Sequence, residues 1–192
     1  EQITGKDLVK EQINIAQGKT LSFTQEELSI QGHSIEVRVY AEDAVANFMP
    51  GTGILKEYRR PQGLGVRVDD GMEQGMEVSI YYDPMIAKLI TFAPTRSEAI
   101  ARMKRAISEY RISGVQTTLD FAEYVMNHDA FVSGNFDTHF VQNYFTPESL
   151  IPENEALEAI GAAALASMLQ ENKASQKTVI NEKPSRWKAN RG

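Results

Sequence analysis

Apolar and polar residues repeat along this chain with two different periods, and the change of period marks its elements. From Lys6 to Gln17, Leu8, Val9, Ile13 and Ile15 recur near helical spacing, which predicts a short helix with Thr4 as its cap and Gly18 as its stop. From His33 to Ala41 the period falls to two. Ile35, Val37, Val39 and Ala41 lie on one side and Ser34, Glu36, Arg38 and Tyr40 on the other, the pattern of a half-buried strand. Between Asn47 and Tyr82, prolines and glycines punctuate short β-prone runs at Ile54 to Tyr58, Val66 to Val68 and Val78 to Tyr81, which predicts an antiparallel meander. Met85 to Phe92 is apolar except for Lys88 and predicts a central strand covered on both faces.

Helical spacing then returns. Ser97 is placed to cap a segment with an Ile100, Met103, Ile107 and Tyr110 stripe, and after the break at Gly114 a second stripe runs through Leu119, Ala122, Val125 and Met126. Strands first and helices behind predict an α+β domain over residues 1–150, a small antiparallel β-sheet with packed helices. Residues 151–192 read as a helix and a polar linker toward a further downstream region. Beyond Pro152, Leu157, Ile160, Ala164 and Met168 share a helical face, and Asn172 to Gly192 is polar around the lone Trp187.

Composition removes several function classes. A net charge of -6 disfavours a duplex nucleic acid partner, since phosphate binding needs a concentrated cationic face. There is no cysteine, so no disulfide and no thiolate metal site. No apolar run approaches the roughly 20 residues that span a bilayer, and Glu1 to Gln12 has neither part of a signal peptide. A cytoplasmic protein is expected, with the mitochondrial matrix as the alternative. Gly51-Thr52-Gly53 and Gly63-Leu64-Gly65 lack the spacing of phosphate loops and read as turns. His33, His128 and His139 have no carboxylate partner at metal-ligand spacing, and no hydrolase nucleophile motif is present.

The charged residues carry the remaining signal. Glu36 and Arg38 share the polar side of one strand and form either a surface ion pair or a pre-oriented guanidinium flanked by acid. Glu42-Asp43 reads as a turn cap, and Asp83 as an acceptor for backbone amides entering the next strand. Lys88, inside an apolar run, either snorkels or pairs with an acid such as Asp83.

Two blocks go further. Gly32-His33-Ser34-Ile35-Glu36-Val37-Arg38-Val39-Tyr40-Ala41-Glu42-Asp43 and Tyr81-Tyr82-Asp83-Pro84-Met85-Ile86-Ala87-Lys88-Leu89-Ile90 resemble the C-terminal domain of biotin carboxylases. Thr4 to Gln12, Gly65 to Asp69, Ala101 to Ala106 and Gly114 to Thr118 follow in the same order, and the likeness runs from Glu1 to about Phe145. Tyr40 and Arg67-Val68-Asp69 look closer to the α subunits of propionyl-CoA and related acyl-CoA carboxylases, including acetyl-CoA carboxylase, than to free-standing enzymes.

The resemblance implies a fold that completes an ATP-grasp enzyme. In such a subunit ATP and bicarbonate give carboxyphosphate, which delivers CO2 to biotin borne on a separate carrier domain, with Mg2+ or Mn2+ as the metal. It places Arg38 at the active-site arginine facing the biotin ureido oxygen and bicarbonate, Thr138 and His139 near adenine, and Leu64 and Arg67 on a surface used for homo-oligomer pairing. A biotin carboxyl carrier and a carboxyltransferase subunit are the implied partners. The glycine-rich lid, ATP-cradling lysines, metal-binding acids and glutamate base of the family belong upstream of Glu1. The chain alone is therefore expected to be inactive and to hold no cofactor of its own. The alternative is a non-catalytic assembly or binding domain with the same fold.

Overall fold

The computed structural model of this protein describes residues 1–151 and 160–167, and the chain divides after Leu150. The Lys6 to Gln17 pattern folds as α1, Leu8–Ala16, and Gly18 follows in the left-handed region at φ 82°. Its cap is Asp7, whose carboxylate accepts from the Lys10 amide, in place of the expected Thr4, whose hydroxyl turns back to the Glu1 carbonyl. Thr4 sits a turn too early to reach the open amides of the helix.

The polar-apolar alternation becomes β1, His33–Tyr40. Short strands follow: β2 at Glu42–Asp43, β3 at Met49–Pro50, β4 at Gly53–Ile54, β5 at Glu57–Arg59, β6 at Val66–Asp70 and β7 at Glu77–Val78. β8, Met85–Ala93, is the central strand of a three-stranded antiparallel sheet of order β1-β8-β6. The rest of the α+β domain is α2 at Arg96–Glu109, β9 at Arg111–Ser113, α3 at Leu119–Asn127, α4 at Asp129–Ser133 and α5 at Phe140–Tyr144.

A simple meander is not what the middle of the chain forms. Only β2 and β3 pair with a sequence neighbour; β4 pairs with β7, β5 with β9 and β6 with β8. Runs of two or three residues specify no register of their own, so their partners are chosen by tertiary packing. Gly114 shows how close that packing is: its φ is 103°, and a Cβ there would lie 2.0 Å from the Ile54 carbonyl oxygen. The third β-prone run, Val78 to Tyr81, is a strand only at Val78, and Ile80 and Tyr81 are exposed.

The pleat of the main sheet separates two faces. Inward point Ile35, Val37 and Val39 of β1, Ala87, Leu89, Thr91 and Ala93 of β8, and Val66 and Val68 of β6. α2 contributes Ala99, Ile100, Met103, Ala106 and Ile107 to the same core, and Thr91 satisfies its buried hydroxyl on the Ala99 carbonyl. The cap of α2 is Thr95, in a capping box with Glu98, and not Ser97, which lies inside the first turn. β8 is fully covered on its inner face; on the other, Ile86 is buried but Lys88, Ile90 and Phe92 are half-buried. The isolated Lys88 is the reason, because an ammonium needs a wet side.

A partly buried cluster ties the short strands to the sheet. The Tyr58 hydroxyl donates to Asp70 Oδ2 at 2.5 Å and lies 2.7 Å from the Tyr110 hydroxyl, while Arg60 Nε meets the same carboxylate oxygen at 2.6 Å. Having one proton, spent on Asp70, Tyr58 accepts from Tyr110. Burial pushes the Tyr110 phenol up to about 12, and burial with the Asp70 contact raises Tyr58 further. Tyr58→Phe removes both bonds and leaves two buried groups short of a partner, which costs about 1–3 kcal/mol. Denaturant titration should show the midpoint fall with an unchanged slope.

Of residues 151–192, the structure describes Ile151 and a helical stretch at 160–167 that carries Ile160 and Ala164. Pro152, Leu157, Met168, the polar stretch from Asn172 and Trp187 lie outside the described residues. Among those described, no helix is long and apolar enough to cross a membrane.

Candidate functional site

The outer face of the sheet is where the chain places its charge. Register puts Arg38, Lys88 and Asp69 in one row across the three strands, and Glu36, Ile90 and Arg67 in the next. Over these rows a groove of about 520 Å³ runs between the sheet and the N-terminal segment, lined by Glu36, Arg67, Asp69, Lys88 and Ile90. Lys88 makes no ion pair among the described residues and is half-buried in the groove lining, and Asp83 instead accepts the Met85 amide at 2.9 Å, as the turn reading had it.

Arg38 is the most available cation in this arrangement. Its side chain is 58% exposed, and its one ion pair among the described residues is a long contact from Nε to Glu36 Oε1 at 3.6 Å. The strand-face ion pair read from the sequence therefore exists, yet it engages neither terminal nitrogen of the guanidinium with an acid. Tyr40 and Glu36, its neighbours on the same strand face, raise its already high pKa.

The end of β1 gathers further groups. Register shifts between Val39 and Tyr40, so that Tyr40 stands opposite Met85, and the Ala41 amide donates to the Pro84 carbonyl. That junction brings Asp83 beside Glu42, whose carboxyl is held above the usual range by burial first and by the like charge of Asp83 second. Asp43 caps the turn, accepting from the Val45 and Ala46 amides. Ile80, Tyr81 and Tyr82, which lead into this junction, are 75%, 83% and 84% exposed. An exposed apolar and aromatic strip of this kind suits contact with another surface or with a ligand.

Other residues singled out in the sequence lie elsewhere. Thr138 and His139 precede α5 on the surface; His139 Nδ1 is 3.4 Å from Asp137, and no contact among the described residues joins either to Arg38. Leu64 is 89% exposed in the turn before β6, and Arg67 points outward from that edge strand, paired with Asp69 at 2.7 Å and Glu1 at 3.6 Å. His128 is packed among Tyr124, Phe140 and Tyr144. Among the described residues no group of His, Cys, Asp or Glu gathers to hold a metal ion.

The sequence reading named Thr118 only as the last residue of a supporting stretch and gave it no role; the structure places it against the backbone of Arg38. The Thr118 hydroxyl donates to the Arg38 carbonyl and accepts from the Tyr40 amide. Eighty residues separate them, so local pattern held no sign of it. The only signal was its place at the end of the stretch Gly114 to Thr118.

Comparison with known proteins agrees with this architecture. Residues 36–143 match the family model of the biotin carboxylase C-terminal domain. The chain is 51% identical over 144 residues to biotin carboxylase 1 of Bacillus subtilis, covering 75% of this chain and 32% of that protein. It is 41% identical over 144 residues to the mitochondrial methylcrotonoyl-CoA carboxylase subunit alpha of Glycine max, covering 75% and 20%. The biotin carboxylase domain dimer of Hydrogenobacter thermophilus 2-oxoglutarate carboxylase, solved with MgADP, ADP and bicarbonate, superposes with a TM-score of 0.73 at 40% identity, over 77% of this chain and 32% of that one. The chain thus spans at most about a third of the length of these relatives. With its family model running from within β1 to within α5 and the sheet bearing Arg38 at its open face, the chain belongs to the biotin carboxylase C-terminal domain family.

Proposed function

We propose that this chain completes the active site of a biotin carboxylase subunit that uses ATP, with Mg2+ or Mn2+, to carboxylate carrier-borne biotin with bicarbonate. The observation that supports this best is the exposed Arg38 guanidinium on the outer face of the sheet, whose terminal nitrogens have no acid partner among the described residues. A planar, permanently charged donor there stabilises negative charge on the ureido oxygen of biotin and orients bicarbonate through paired N–H groups. ATP and its metal supply the phosphoryl chemistry, and the residues that hold them are assigned to the preceding part of the subunit. Thr138 and His139 border the adenine side of that nucleotide site. The subunit works with a biotin carboxyl carrier and a carboxyltransferase in an acetyl- or propionyl-CoA carboxylase, and Leu64 and Arg67 on the β6 edge form its self-association surface.

The reading makes a direct claim about the 192-residue chain. Purified alone it cleaves no ATP above background, because its sequence has no phosphate-binding loop. Joined to the ATP-binding half of its subunit, it supports ATP cleavage that depends on both bicarbonate and free biotin. ATP cleavage by the isolated chain, or a joined subunit indifferent to biotin, would refute the assignment.

A further inference from the structure

Thr118 is buried at 6% exposure, and Thr91 is the one other buried threonine among the described residues. It stands at the N-cap of α3, where threonine ordinarily accepts from an amide of its own first turn. Here it makes no such bond, and its φ and ψ of -75° and 10° are not those of an extended cap. Its polar atoms serve β1 instead. The hydroxyl donates to the Arg38 carbonyl at 3.3 Å and accepts from the Tyr40 amide at 3.1 Å, and the Thr118 amide donates to the Tyr40 carbonyl at 3.1 Å.

Two features of β1 give this bracket a purpose. β1 is an edge strand of its sheet, paired only with β8, so the backbone groups of Arg38 and Tyr40 that face away from β8 need a partner from elsewhere. The register also shifts between Val39 and Tyr40, inside the segment that the Thr118 bonds span. A shift of this kind re-aims the side chains beside it. An edge strand with an irregularity next to a long, exposed arginine is poorly fixed by its own ladder. Three bonds from the start of a packed helix fix it.

We infer that Thr118 is a positioning residue for Arg38: it locks the Arg38 to Tyr40 backbone across the register shift and so sets the direction in which the guanidinium is presented. The inference rests on the proposed role of Arg38 in biotin carboxylation. It assigns the work to the hydroxyl in particular, which both donates and accepts, and not to the bulk of the side chain. Valine keeps the shape and removes both bonds of the hydroxyl while leaving the amide bond to Tyr40; serine keeps the hydroxyl.

The test uses the full-length subunit, with Thr118→Val, Thr118→Ser and Arg38→Ala assayed side by side for biotin-dependent and biotin-independent ATP cleavage and for thermal melting. The expected result is a fall of about 10- to 100-fold in the biotin-dependent kcat of the valine variant, the scale for a displaced catalytic group. Its KM for ATP and its biotin-independent rate stay near those of the parent, and the serine variant recovers most of the loss. A valine variant with parental biotin-dependent kcat, alongside a disabled Arg38→Ala, overturns the inference and leaves the role of Arg38 standing. An active Arg38→Ala overturns the underlying role itself. Equal losses in the valine and serine variants also overturn it, because then the γ-methyl packing and not the hydroxyl matters. If the valine variant does not fold, Thr118→Cys takes its place, with a weak donor in similar volume; parental turnover there counts against the inference, and a loss rescued by serine supports it.

Discussion

Arg38→Ala in the full-length subunit is expected to lower the biotin-dependent rate of ATP cleavage by about 10²–10³, the usual consequence of removing one donor aimed at developing negative charge. Its melting temperature should stay near that of the parent. The side chain is exposed, its contact with Glu36 is long, and its backbone bonds to Thr118 and its place opposite Lys88 survive truncation. Arg38→Lys is expected to recover only part of the rate, since a lysine ammonium keeps the charge but not the fixed fork of N–H groups. Lys88 already supplies a compact cation in the neighbouring cross-strand position, so charge alone is not what Arg38 adds. A folded alanine variant with the parental biotin-dependent rate would make Arg38 one half of a surface ion pair and nothing more.

That ion pair shows why the site was only partly legible in the sequence. Period-two alternation fixed which side of β1 carries Arg38, and the register confirms that Ser34, Glu36 and Arg38 share the outer face. The α2 stripe through Ile100, Met103 and Ile107 was equally plain, because long periodic segments bury the face they advertise. Arg38 itself was marked as functional by resemblance, not by spacing, for an exposed arginine beside a glutamate on a strand is common chemistry. What failed was non-local or positional. The pairing of β5 with β9 and β4 with β7 depends on packing around residues such as Gly114, which short runs cannot encode. The caps failed by a few residues: Asp7 and Thr95 won over Thr4 and Ser97 because only they stand where the open amides point. The apolar run of β8 suggested a strand buried on both faces and Lys88 suggested a partner in Asp83, whereas Lys88 lines the outer groove and Asp83 serves the turn. Thr118 lay beyond any local reading, since its work depends on a contact across eighty residues.

Across one pleat of the same sheet, the opposite kind of effect is expected. Leu89 lies next to Lys88 on β8, but its side chain faces inward, is fully buried and stands between Val37 of β1 and Val68 of β6 in the core that includes Met103 and Ile107 of α2. Leu89→Ala removes a branched side chain from the middle of that layer. β8 is held on both edges by its ladders and from above by α2, so the space collapses poorly and the loss falls in the upper part of the range for such substitutions, about 3–5 kcal/mol of 2–5. Denaturant unfolding should report it as a lower midpoint, and Ile90→Ala on the half-buried outer face should lose clearly less. Both ladders remain in Leu89→Ala, so Arg38 keeps its register opposite Lys88 and turnover per folded molecule stays near parental at low temperature. Two substitutions within one strand pair should thus separate cleanly, Arg38→Ala losing rate with little loss of stability and Leu89→Ala the reverse. A cost below about 1 kcal/mol at Leu89 would mean that β8 is not the covered centre of the sheet, since even deleting a single buried methyl from a core typically costs about that much.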